Sequence, residues 1–165
     1  MTDELTASLV EMTTDELAAW LPGALDRLIA ERIDAGETPD RASSMVTSQR
    51  EASFPGGAPA PGHHVLHVVI DGERAGAMWA CPGVTPESTA RSLFLVELDE
   101  DHQGPDTLRA AILAAEAWAA AEGATRLGIN VFGPNAQAQA AYEELGYVIA
   151  ATSMFKPLDE SLAAT

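Results

Sequence analysis

The sequence predicts an α/β (α+β) fold, with a mixed, mostly antiparallel central sheet flanked by helices. Three observations predict it. Apolar residues recur at helical spacing near the start of the chain, and they switch to strand-like runs after residue 62. From residue 92 onward, strands and helices alternate, which requires a sheet with helices packed on it. A length of 165 residues suits one core able to fold unaided, and no linker divides the chain, so residues 1–165 read as a single domain.

Residues 5–12 make a short first strand. Thr13 or Thr14, followed by Asp15 and Glu16, opens a helix with its acids in the first turn. Leu17, Leu21, Leu25, Leu28 and Ile29 carry its apolar face to about Ala35. Pro22 is a potential kink, and Gly36 a stop. A second, less apolar helix spans 40–52, and the glycine, proline and alanine run 55–62 is a loop. Residues 64–70 and 75–81 form a hairpin around Asp71-Gly72. The next strand, 92–98, alternates Leu93, Leu95 and Glu97 with Phe94, Val96 and Leu98. Both faces are mostly apolar, so the strand is central. A helix from Thr107 to Glu122, a strand 127–131, a helix from Asn135 to Leu145 and a last strand 147–156 complete the order.

Nine basic residues stand against 25 acidic ones, a formal charge of -16. Such a surface repels phosphates and anionic lipid, so no nucleic acid and no membrane is expected as partner. Cys81 is the sole cysteine, which excludes an internal disulfide and fits a reducing compartment. No secretory signal and no membrane-length apolar run is visible, so the expected location is cytoplasmic.

The segment LGINVFGPNAQAQAAYEELGY carries Asn135, Ala138, Tyr142, Gly146 and Tyr147 at set spacings, and Met154-Phe155-Lys156 follows as a strand-like tail. Together with the strand ending at Leu98 and the turn from Gln103, this resembles the GCN5-related N-acetyltransferase (GNAT) superfamily over residues 93–158. The resemblance implies an N-acetyltransferase that moves an acetyl group from acetyl-CoA (coenzyme A) to a primary amine of a small molecule or peptide. Residues 92–158 would form the cofactor-binding core, and residues 1–91 the acceptor side. Two strands, around Leu98 and around Ile129, would splay to admit the pantetheine arm. Leu98, Gln103, Gly104, Pro105, Asp106, Thr107, Leu108, Asn135 and Ala138 would line the cofactor site. Its pyrophosphate would sit on the backbone amides of a helix start. Glu97 would take the proton of the amine, and Tyr142 would protonate the departing thiolate. Members often pair, so a homodimer is a further implication.

Bland readings stand beside these. Taken without the surrounding matches, Tyr142 reads as a core tyrosine with its hydroxyl bonded; Glu97 reads also as a strand-end carboxylate facing water. Asp106 and Leu108 replace the family's glycine and small residue. As an N-cap, Asp106 would occupy amides the pyrophosphate needs and repel it. That opens an alternative, a weakly active or inactive binding or regulatory protein with impaired CoA binding. His63 and His67 share one strand face without a third ligand, so no metal site is expected. His102 is expected to be exposed, and Cys81 to be a small packed residue.

Overall fold

The computed structural model describes residues 5–83, 89–131, 135–154, 156 and 158. Strands β1 (Ala7–Glu11), β2 (His64–Ile70), β3 (Glu73–Pro82), β4 (Ala90–Leu98) and β5 (Arg126–Ile129) form one sheet in the order β1-β2-β3-β4-β5. Neighbours are antiparallel except β4 and β5, which run parallel. Helices α1 (Thr14–Asp34) and α2 (Pro39–Ser53) cover one face. Helices α3 (Pro105–Ala121) and α4 (Ala136–Glu144) cover the other.

Local chemistry explains the boundaries. Thr13 and Glu16 close a capping box at the start of α1: the Glu16 amide donates to Thr13 Oγ1, and the Thr13 amide donates to Glu16. That amide, and then Arg74, hold the Glu16 carboxyl down to about 2. Pro22 lies inside an uninterrupted helix. Helix α4 ends in a Schellman motif in which Gly146, at φ 93°, supplies the left-handed residue. The Tyr147 amide then bonds the Tyr142 carbonyl at 3.0 Å, which turns Tyr147 back over the helix.

Two cores sandwich the sheet. Toward α1 and α2 lie Leu17, Leu21, Leu28, Val65, Trp79 and Leu95. Toward α3 and α4 lie Val68, Met78, Leu93, Ile112 and Tyr142. Strand β4 is therefore covered on both sides, as its sequence predicts. Its faces are not those of simple alternation, however. Trp79 pairs with Leu95 and Ala80 with Leu93, so Phe94 is an extra residue in β4. This bulge reverses the pleat. Leu93 joins the α3 side with Val96 and Leu98, while Leu95 and Glu97 face α1.

The expected strand 147–156 is absent: residues 147–154 carry no regular structure, and Val148, Ile149 and Met154 are exposed. Apolar alternation marks a segment able to pair but does not supply the partner ladder that makes it a strand. Phe155 lies outside the described residues.

Gly76 sits where β3 crosses the end of β4. A Cβ there would lie 2.0 Å from the Glu97 carbonyl oxygen and 2.9 Å from Leu98 Cα. Backbone cannot step aside as a flexible side chain can. Gly76→Ala should therefore lower stability by about 1–3 kcal/mol, the usual cost of overpacking, measured by denaturant unfolding. An unchanged midpoint would show that β3 yields there freely.

Candidate active site

Strands β4 and β5 pair only from Ala90 to Leu93, against Arg126 to Ile129. The last link is a long one, with the Asn130 amide 3.4 Å from the Leu93 carbonyl. Past it, β4 continues through Phe94–Leu98 with no β5 partner among the described residues. Ile129 itself is still paired, with Leu93; the ladder ends there, and the β4 edge beyond, at Phe94–Leu98, has no β5 partner among the described residues, which leaves a split between the strands.

The start of α3 lies just beyond that edge, after a single 3-10 turn at Glu100–His102. Gly104 is the N-cap and Pro105 the first helical residue, a position where proline's missing N–H costs nothing. Asp106 is consequently not the N-cap. It stands in the first turn, exposed, and makes no side-chain bond to the helix start. The Leu108 amide bonds the Gly104 carbonyl at 3.0 Å, whereas the amides of Asp106 and Thr107 have no partner among the described residues. The anion-binding donors are unspent, with a carboxylate nearby. Leu108 is half-buried against the α3-side core, which explains an apolar side chain there. Gln103 is exposed. His102, expected to be exposed, is half-buried, and its Nδ1 is enclosed without a hydrogen-bond partner.

Asn135 caps α4, accepting from the Ala138 amide at 3.1 Å, while Ala138 packs against the core. The side-chain amide nitrogen of Asn135 has no hydrogen-bond partner among the described residues. Tyr142 is buried at 8% exposure in the α3-side core, edge-on to Tyr147. Burial pushes its phenol pKa up, so it keeps its proton well above neutrality. Its hydroxyl makes no hydrogen bond among the described residues. Tyr147 is fixed by donating to Glu116 at 3.0 Å.

Glu97 emerges on the opposite side of β4 from Tyr142. It does not simply face water. Arg27 of α1 grips it with two charge-assisted bonds, Nε to Oε1 at 2.6 Å and Nη2 to Oε2 at 2.7 Å. Glu31, one turn further along α1, has its carboxyl pKa raised by desolvation first and by the charge of Glu97 second.

The remaining candidates pack within the fold. His63 and His67 do share the α1 face. His63 Nδ1 accepts from Trp79 Nε1 at 3.1 Å, and His67 lies 3.3 Å from Glu16. Among the described residues no group of three or more potential ligands could hold a metal ion. Burial pushes the Cys81 thiol up to about 11, which suits a packed residue and not a nucleophile. An open groove of about 450 Å³ between α1 and α2, lined by Leu21, Leu25, Ile29 and Val46 among others, includes none of Glu97, Tyr142 or the α3 start.

The acetyltransferase (GNAT) family model matches residues 25–147, spanning α1 to the end of α4 and so both sides of the strand split. The chain belongs to the GNAT family. No curated protein matches it. Among solved structures, this GNAT chain is similar to YycN from Bacillus subtilis, described as a candidate acetyltransferase. The identity is 24% over 94% of this chain and 100% of that one, with a TM-score of 0.83. It is also similar to the aminoglycoside N-acetyltransferase AAC(6')-Iy in complex with CoA, at 14% identity over 96% and 98% of the two chains and a TM-score of 0.56. A protein from Pyrococcus furiosus described as a candidate acetyl transferase matches at 18% identity over 92% and 99%, with a TM-score of 0.58. At these identities the likeness concerns the GNAT fold alone, and it includes the mixed sheet described above. Among the described residues, no helix of the GNAT domain is long and apolar enough to cross a membrane.

Proposed function

We propose that the protein is an acetyl-CoA-dependent N-acetyltransferase acting on a primary amine of a small molecule or peptide. The observations that carry the reading are the end of the β4–β5 ladder at Leu93–Ile129, past which β4 runs on to Glu97 with no β5 partner among the described residues, and the amides of Asp106 and Thr107, which have no partner among them either. When bound, acetyl-CoA supplies an activated acyl carbon on a thioester. The unpaired edge at Phe94–Leu98 would hold its pantetheine arm by strand-like hydrogen bonds. Gln103, Gly104, Pro105, Asp106, Thr107 and Leu108 would surround its pyrophosphate, and Asn135 and Ala138 would flank it from α4.

Glu97 accepts the proton that the amine nitrogen gives up as its C–N bond forms. Tyr142 returns a proton to the sulfur as the C–S bond breaks, so charge balances across the cycle. Residues 1–91 supply the acceptor side of a single domain. The acidic surface disfavours nucleic acid and anionic membranes as partners, in keeping with a cytoplasmic enzyme.

A second reading rests on two observations: Arg27 occupies both oxygens of Glu97, and Asp106 sets a negative charge beside the helix start. Both favour a weakly active or inactive binding protein. Thermal unfolding with acetyl-CoA separates the two. Cofactor at 100 times its dissociation constant stabilises the fold by about 2.7 kcal/mol. Asp106→Asn, which removes the charge and keeps the helix start, should tighten binding by about tenfold or less, corresponding to up to ~1.4 kcal/mol. No stabilisation of either protein at millimolar acetyl-CoA would leave only the second reading.

A further inference from the structure

The Arg27–Glu97 pair has an open side. Arginine has five N–H donors, and Arg27 spends its Nε and Nη2 on Glu97. Its Nη1 has no hydrogen-bond partner among the described residues, and its side chain is 52% exposed. Gly23, four residues earlier on α1, keeps this side clear, since a Cβ there would approach Nη1 to 3.1 Å. Glycine inside a helix is unfavourable compared with alanine. The chain carries one at the position that would crowd the guanidinium. Glu97, at 19% side-chain exposure, likewise retains lone pairs that Arg27 does not use.

A positive and a negative group therefore stand side by side, both reachable, at the stretch of β4 that leaves β5. The guanidinium offsets part of the attraction that Glu97 and Glu31 exert on a cation, and a bare amine leaves its free N–H groups unused. A molecule carrying both charges on adjacent atoms gains from each. We propose that the acceptor is an α-amino acid, its carboxylate received on the free edge of Arg27 and its amine held at Glu97. This rests on the transferase reading and narrows it. Arginine's planar fork suits a carboxylate in a way a lysine would not. Glu31 adds a second acidic group one turn along α1 to draw the ammonium before it loses its proton.

The test compares amino acids with the amines that lack only the carboxylate: alanine with ethylamine, leucine with isoamylamine, phenylalanine with phenethylamine. Acetyl transfer is followed by thiol release, and binding of the same compounds to the full chain is followed by NMR without cofactor. At least one amino acid should exceed its partner amine about tenfold or more in kcat/KM and in affinity. In Arg27→Met that ratio should fall to near one, chiefly through KM, and Arg27→Lys should restore part of it. Circular dichroism checks that each variant folds. Equal or better use of the carboxylate-free amines by the parent protein, no binding of any compound, or a ratio untouched by Arg27→Met would overturn the inference. Amino-acid binding that depends on Arg27, without transfer from acetyl-CoA to any amine, would instead remove the transferase reading and leave the recognition standing.

Discussion

Tyr142→Phe should fold like the parent protein and transfer acetyl groups about 10²- to 10⁴-fold more slowly, the usual worth of a positioned general acid. The ring is buried against Leu93, Ile112 and their neighbours, and phenylalanine preserves that packing. The hydroxyl makes no hydrogen bond among the described residues, so its removal orphans no partner. Burial raises the phenol pKa, which keeps the proton available through the neutral range. Steady-state kinetics should place the loss in kcat, with KM for acetyl-CoA and the melting temperature nearly unchanged. A kcat within about threefold of the parent's would assign Tyr142 to the core alone.

Trp79→Ala should destabilise the fold by about 3–5 kcal/mol, the range for truncating a large buried aromatic. Trp79 is fully buried in the middle of β3. Its ring lies 4.8 Å from Phe54 and 4.4 Å from Phe94, and its Nε1 donates to His63. Truncation opens a cavity beneath α1 and α2, removes two aromatic pairs and leaves His63 Nδ1 without its donor. Because Trp79 pairs with Leu95 beside the Phe94 bulge, the loss also loosens the part of β4 that carries Glu97. Urea unfolding of Trp79→Ala beside Trp79→Phe separates cavity from hydrogen bond. A loss under about 1 kcal/mol for the alanine variant would mean that the layer collapses to fill the space.

Helices and strands with a clean period were legible in the sequence, because burial on one face dictates that period. The Thr13 cap, the Asp71-Gly72 hairpin and the Gly146 stop were legible too, since each turn conformation demands few residue types. The Phe94 bulge was not. An extra residue between Leu93 and Leu95 leaves an unbroken apolar run, and only the register with β3 reveals the change of face. Arg27 was missed for a related reason. Its partner lies 70 residues away, and nothing local to α1 points to it. Pro105 carries the signal that settles the cap: proline favours the first helical position, which makes the preceding Gly104, and not Asp106, the N-cap. The half-burial of His102 is not legible in the sequence, because exposure follows how a turn packs, which one residue's type does not determine.

Four residues hold β5 to the rest of the sheet, while β2, β3 and β4 are joined along much longer ladders. The molecule is therefore uneven in firmness. An antiparallel block of four strands resists deformation, and β5 joins it by a short parallel ladder, the Thr125–Thr89 bonds and side-chain packing. A guest wedged at the end of that ladder would displace few native hydrogen bonds. It would also brace a strand held by a short ladder, so occupancy and rigidity would rise together.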